Sequence, residues 1–245
     1  MSRETAVLDS TMITESIEYL RNSEDWVKTF LIGGVLSLLS ALVLPTILVV
    51  GYLMRVLRGT MRGDEEPPVF DDWGDLAVDG LKGFVIGFVY FLIPAIVVGI
   101  AVFLGVAGAI AGGGSDAAGL FGGLVALVGA LVGFVLTIFA AYVTPAALAN
   151  YAETDRMGAA FDFGELRPIL FSGKYATAWL YAFALFIAAG IVSGLLGATG
   201  VGAILSAFIT FYALVAVYYI FGTTWGEMHH VEMRNDDMPD ERATI

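Results

Sequence analysis

Cysteine is absent from the 245 residues. That removes disulfides, thiolate nucleophiles, Cys-based zinc sites and iron–sulfur clusters from consideration. Positive charge is scarce: 12 Lys and Arg stand against 24 Asp and Glu, for a net charge of −12. Such a surface repels phosphate backbones, so nucleic acid is not a partner, and it does not fit a polybasic anchor for anionic lipid. Catalytic signatures are missing too, with no Ser-His-Asp order, nucleotide loop or H-E-x-x-H motif. The first 25 residues are net acidic, and the first apolar run is too long for a signal peptide. No catalytic residue, cofactor or metal ligand is assigned from the sequence.

Charge is also missing from five long apolar segments, 30–54, 83–111, 120–149, 175–194 and 203–222, none of which contains Asp, Glu, Lys or Arg. Each is near or above the ~20 apolar residues that cross a hydrocarbon core. The chain is 58% hydrophobic with mean hydropathy +0.82, whereas soluble domains are ~45–50% apolar. The fold is therefore expected to be all-α, a polytopic transmembrane helical bundle. Residues 1–29 read as an N-terminal arm with an interfacial helix, 30–222 as the transmembrane domain, and 223–245 as an acidic, flexible tail. Within the arm, residues 1–11 read as disordered. Residues 12–26 read as an amphipathic helix, with Trp26 marking the interface.

The segment 30–54 has two readings. It is one tilted span, bent at Pro45, or a re-entrant hairpin turning near residues 40–45. A single span separates Arg3, Arg21 and Lys28 from Arg55, Arg58, Arg62 and Lys82, whereas a hairpin puts all 12 basic residues on one side. The positive-inside rule favours the hairpin, with both termini cytoplasmic in a cell membrane. The external face is then reduced to two glycine-rich turns, at 112–116 and 197–202.

Two polar loops share a pattern. Asp72-Trp73-Gly74-Asp75-Leu76 recurs as Asp162-Phe163-Gly164-Glu165-Leu166, an offset of 90 (162 − 72). Asp72 and Asp162 are placed to cap a helix start, and the acid three residues on supports the free N–H groups. Each copy is expected to begin a short helix on the membrane surface, its aromatic ring at headgroup level and its Leu at the bilayer boundary. Gly83 with Gly87 and Gly129 with Gly133 form small faces for close helix packing. His229-His230 lies near Glu227 and Glu232, but adjacent histidines point to different sides of a helix. No ionisable residue falls at mid-membrane, where pumps and proton-coupled carriers keep one.

The run Gly51-Tyr52-Leu53-Met54-Arg55-Val56-Leu57-Arg58, then Glu66-Pro67-Pro68, the Phe70–Leu76 motif and Asp79-Gly80-Leu81-Lys82, resembles an uncharacterised family of multi-pass membrane proteins abundant in halophilic archaea. The resemblance is specific over about residues 20–100 and looser to about residue 222. It implies no activity, substrate or catalytic residue.

The sequence thus reads as a non-enzymatic membrane protein, acting in membrane organisation or as a subunit that meets a cytoplasmic protein partner through its acidic loops. A small permease or channel for a neutral or hydrophobic solute is the alternative. A lipid-acting enzyme using Asp72 and Asp162 is a third. Carboxylate excess also predicts a salt response. Lowering salt from molar to ~0.1 M lengthens the Debye length from ~3 to ~10 Å, so monodispersity and melting temperature in detergent should fall across a salt series.

Overall fold

The computed structural model describes residues 3–113, 115–197 and 199–236, with side-chain surroundings for 11–229 within these. Every regular element of the described residues is a helix: α1 (Arg3–Glu18), a 3₁₀ turn (Tyr19–Asn22), α2 (Trp26–Leu38), α3 (Val43–Met61), α4 (Trp73–Ala111), α5 (Asp116–Thr154), a second 3₁₀ turn (Met157–Phe161), α6 (Phe163–Leu170), α7 (Gly173–Gly197) and α8 (Gly200–Asp236). By length and composition α3, α4, α5, α7 and α8 can each cross a membrane, and α2 is apolar but shorter. Two compact units form, one from Met1–Phe84 with Ala146–Ile245, the other from Val85–Pro145.

In the first unit α8 is the post against which α1, α2, α3 and α7 pack. Advancing along the arm and α2 moves down α8: Tyr19 meets Tyr219 with ring centroids 4.7 Å apart, and Phe30 meets Phe208 at 5.4 Å. Advancing along α3 moves back up it. Tyr52 lies 5.5 Å from Phe211, Leu57 and Thr60 close on Gly222, and Met61 closes on Gly226. Helices α2 and α3 are therefore antiparallel arms of a hairpin, which turns at residues 39–42. Leu42 leaves helical geometry with φ −92° and ψ 135°. Thr46 Oγ1 closes the turn by donating to the Ser40 carbonyl at 2.9 Å. Pro45 is no obstacle, because it sits in the first turn of α3, where N–H groups have no intrahelical partner. With 13 residues, α2 rises ~20 Å, less than the ~30 Å of a hydrocarbon core.

The arm is pinned beside the loop after α3. Tyr19 Oη donates to the Glu66 carbonyl at 3.4 Å, and Asn22 Nδ2 donates to the Glu65 carbonyl at 3.2 Å. Burial, aided by Asp64, raises the Tyr19 hydroxyl above its ordinary pKa, which keeps it a neutral donor. Beneath these bonds lies the core of the unit. Tyr52 and Phe70 stack at 4.4 Å, Phe211 closes on both, and Val49, Val56 and Leu76 fill around them. The crossing of α3 and α4 is backbone on backbone: a Cβ on Gly51 would strike the Leu76 carbonyl, and one on Gly80 the Ile47 carbonyl.

The second unit is a helical hairpin, residues 85–111 of α4 and 116–145 of α5 joined by a turn in which Gly113 takes φ +67°. Its helices meet through small residues. A Cβ on Gly129 would strike Ala101, and one on Gly133 would strike Val98. Outward side chains such as Phe103, Ile110 and Leu120 are about 70% exposed or more, as lipid-facing apolar residues are.

Several expectations change. Within the stretch expected to be disordered, residues 3–11 belong to α1. Of the expected tail, residues 223–236 continue α8, because Trp225, Glu227 and His229 have partners on other helices; residues 237–245 lie outside the described part. Gly83 packs against Val50 and Met54, but a Cβ at Gly87 would meet nothing within 4 Å. Gly51→Leu or Gly80→Leu should therefore destabilise the protein by at least ~1–3 kcal/mol, read as a lower melting temperature in detergent, while Gly87→Leu should leave it nearly unchanged.

Candidate functional site

Where α3 leaves its apolar stretch, Arg55, Arg58 and Arg62 recur at helical spacing and enter a cluster of carboxylates. Arg58 is the centre. Its guanidinium makes a two-pronged contact with Asp79 of α4, Nη1–Oδ2 at 2.5 Å and Nη2–Oδ1 at 3.3 Å. Both side chains are about one-fifth exposed, 21% and 20%. Arg58 Nε donates to the Ala152 carbonyl at the end of α5 at 3.4 Å, and Nη2 lies 3.6 Å from Asp155 Oδ1. The same Asp155 oxygen is 3.8 Å from Lys82 Nζ, and both cations lie within 6 Å of the Tyr151 ring centroid. Asp155 reaches this place because it terminates α5 in the left-handed region, at φ +52°, which short polar side chains tolerate better than most.

A second group adjoins the first. Glu153 Oε2 accepts from Trp225 Nε1 at 2.8 Å and lies 3.5 Å from His229 Nε2. The Trp225 and His229 rings stack at 4.9 Å. Arg58, Glu153, Trp225 and His229 line a cavity of ≈ 240 Å³. Elsewhere in the first unit Arg62 pairs with Asp64 at 3.0 Å, Arg156 with Glu165 at 3.4 Å and Lys174 with Glu227 at 2.5 Å. Among the described residues, no three His, Asp or Glu side chains converge as a metal-binding group.

The two recurring motifs are held differently. Asp162 caps α6, its Oδ1 accepting from Gly164 N at 2.9 Å and Glu165 N at 3.3 Å. Glu165 then accepts from buried Asn150 of α5 at 2.9 Å. Eight residues later α6 ends and α7 begins after a break. In the first copy Asp72 lies at φ +42° directly before Trp73, Arg55 binds the Asp71 carboxylate, and the helix that starts there runs unbroken for 39 residues. A short separate helix thus follows the second motif only. Trp73 and Phe163 are both half exposed, whereas Leu76 and Leu166 are fully buried in protein rather than placed at the bilayer boundary. Gly74 has open space where a Cβ would be; at Gly164 the Asp162 carboxylate lies 3.0 Å away.

The profile of a family described as "Protein of unknown function (DUF4013)" matches residues 35–198. The chain belongs to this family. No curated protein and no solved structure matches it. The matched stretch contains Gly51, Tyr52, Arg58, Phe70, Leu76, Asp79 and Gly80, which form the α3–α4 crossing, its aromatic core and its ion pair.

Sequence reasoning used Arg55, Arg58 and Lys82 as markers of sidedness and of the family resemblance, and did not pair them with Asp79, Tyr151 or Asp155, nor Glu153 with Trp225 and His229. Spacing held part of the signal, since Arg55 and Arg58 are three apart, as are Asp79 and Lys82. Bringing Arg58 to Asp79 required the tertiary crossing, while Arg55 goes to Asp71 and Lys82 to Asp155. The cluster holds charges in fixed, mutually satisfied contacts, and Arg58→Ala should uncover Asp79 and lower stability by ~1–3 kcal/mol. Arg58→Lys should recover part of that loss, because an ammonium cannot reproduce the two-pronged contact. Melting temperatures of the two variants at fixed salt check both statements.

Proposed function

We propose that the protein is a non-enzymatic, multi-pass subunit of the cell membrane that binds a partner through its acidic polar loops, with both termini on that cytoplasmic side. The observation that supports this reading is the fate of the basic side chains. Arg55, Arg58, Arg62, Lys82, Arg156 and Lys174 are all engaged by carboxylates of the chain itself. Glu65, Glu66 and Asp75 remain exposed beside them, so the loop after α3 and the start of α4 offer an acidic surface that complements a basic one. A high-salt habitat fits the same excess of carboxylates.

A Glu65→Gln, Glu66→Gln, Asp75→Asn variant tests this proposal. Crosslinking in native membranes should give a larger adduct with the wild type and lose it in the variant, with both chains equally membrane-embedded. An unchanged adduct, or none with the wild type, contradicts the proposal.

One observation bears on the second reading, a small permease or channel for a neutral or hydrophobic solute. A cavity of ≈ 600 Å³ lies between α1, α7 and α8, lined by Thr177, Tyr181, Thr223 and Thr224 together with the charged Glu15, Lys174 and Glu227. The Thr224 hydroxyl is buried without a hydrogen-bond partner. Under this reading, reconstituted vesicles take up such a solute saturably and Thr224→Val abolishes the uptake. Under the first reading, uptake does not exceed that of empty vesicles.

A further inference from the structure

An apolar trough of ≈ 530 Å³ runs along the outside of the first unit, between α2, α7 and α8. Its walls are Phe30, Leu185, Ala189, Val192, Ile209 and Ala213, and one end is closed by Arg21 and Trp26. The two ends differ chemically. Because α2 and α7 both run antiparallel to α8, the Arg21–Trp26 end lies toward Ala216 and the polar cluster, while the Val192–Ile209 end lies deeper among apolar residues. Small side chains at Ala188, Ala189, Ala213 and Ala216 keep the trough open.

Arg21 sets the choice of occupant. It is exposed, and unlike Arg55, Arg58, Arg62, Arg156 and Lys174 it has no carboxylate within ion-pair distance among the described residues. Its guanidinium lies 6.0 Å from the Trp26 ring centroid, which holds it over the mouth of the trough. The neighbouring Tyr212 hydroxyl is already committed to the Ile17 carbonyl, so Arg21 supplies the free donors there. A guanidinium binds phosphate oxygens two at a time, and an indole ring belongs at headgroup level. An unpaired cation at one end and a wholly apolar channel beyond it complement a molecule that has one anionic end and a hydrocarbon chain.

We propose that this trough binds an anionic membrane phospholipid, its phosphate on Arg21 and one hydrocarbon chain lying between α7 and α8. The proposal rests on the membrane reading above but not on the partner or permease readings. The volume suits a single chain, within the ~300–1,000 Å³ of ordinary ligand pockets. The bound lipid covers apolar walls that the protein leaves open and gives Arg21 the counter-charge it lacks.

The test compares melting temperatures in detergent with added phosphatidylglycerol or phosphatidylcholine, at fixed salt. Phosphatidylglycerol should stabilise the wild type by about 3–8 °C when well above its Kd, and more than phosphatidylcholine does. Arg21→Gln should erase the difference between the two lipids. Lys28→Gln removes an exposed cation that does not line the trough and should preserve it. Ala189→Trp, on the half-buried wall, should reduce the gain from both lipids. Equal stabilisation of the wild type by the two lipids overturns the proposal. So does an Arg21→Gln variant that retains the wild-type preference, or a Lys28→Gln variant that loses it equally. Resistance of the wild type to carbonate extraction from membranes reads the membrane placement separately, so failure of lipid selectivity is distinguishable from failure of that placement.

Discussion

Charge is costly inside hydrocarbon, and that one constraint organises the first unit. The chain has few basic residues and sets three of them, Arg55, Arg58 and Arg62, at the end of its first apolar stretch. A straight passage through the membrane would carry them away from Arg21 and Lys28. The break at 39–42 instead folds α3 back along α2, so Arg58 arrives level with the arm, the start of α4 and the ends of α5 and α8. There it meets Asp79, Asp155 and the Ala152 carbonyl. The Thr46 hydroxyl donates to the Ser40 carbonyl within this break and so satisfies part of its irregular backbone.

Packing follows from the turn. Once α3 returns, its Gly51 and the Gly80 of α4 remove the side chains that would separate two backbones. The aromatic trio Tyr52, Phe70 and Phe211 fills the space beside the crossing. The ion pair and the crossing reinforce each other: close approach brings Asp79 within reach of Arg58, and the two-pronged contact fixes the crossing. In a site built this way, charges have structural partners before any ligand arrives. Arg21 departs from that pattern, and so does the Thr224 hydroxyl.

Much of the architecture was legible in the sequence. Five uncharged apolar runs gave the all-helical fold and the long helices, and the distribution of basic residues pointed to a turn within 30–54, where the helix breaks between Leu38 and Val43. Asp162 could be read as a helix cap because capping is local, set by residues two and three positions on. Asp72, in the same motif, was misleading: Arg55, seventeen positions earlier, fixes its neighbour Asp71, and tertiary contact overrides the local pattern. Helix ends were underestimated for a related reason. Polar residues at 223–236 look like a tail in one dimension, but Trp225 and His229 find Glu153, 72 residues away for Trp225. Gly87 shows the converse, since spacing marks a small face without saying whether another helix uses it.

The central claim is that the chain turns back at 39–42, so that the arm and the loop after α3 face one compartment. The absence of native cysteine makes the measurement direct. Single cysteines at Glu24, Glu65 and Thr199 would be labelled with a membrane-impermeant maleimide in sealed right-side-out and inverted vesicles. The turned-back arrangement predicts that positions 24 and 65 react from the same face and position 199 from the opposite one. Labelling of positions 24 and 65 from opposite faces would contradict it.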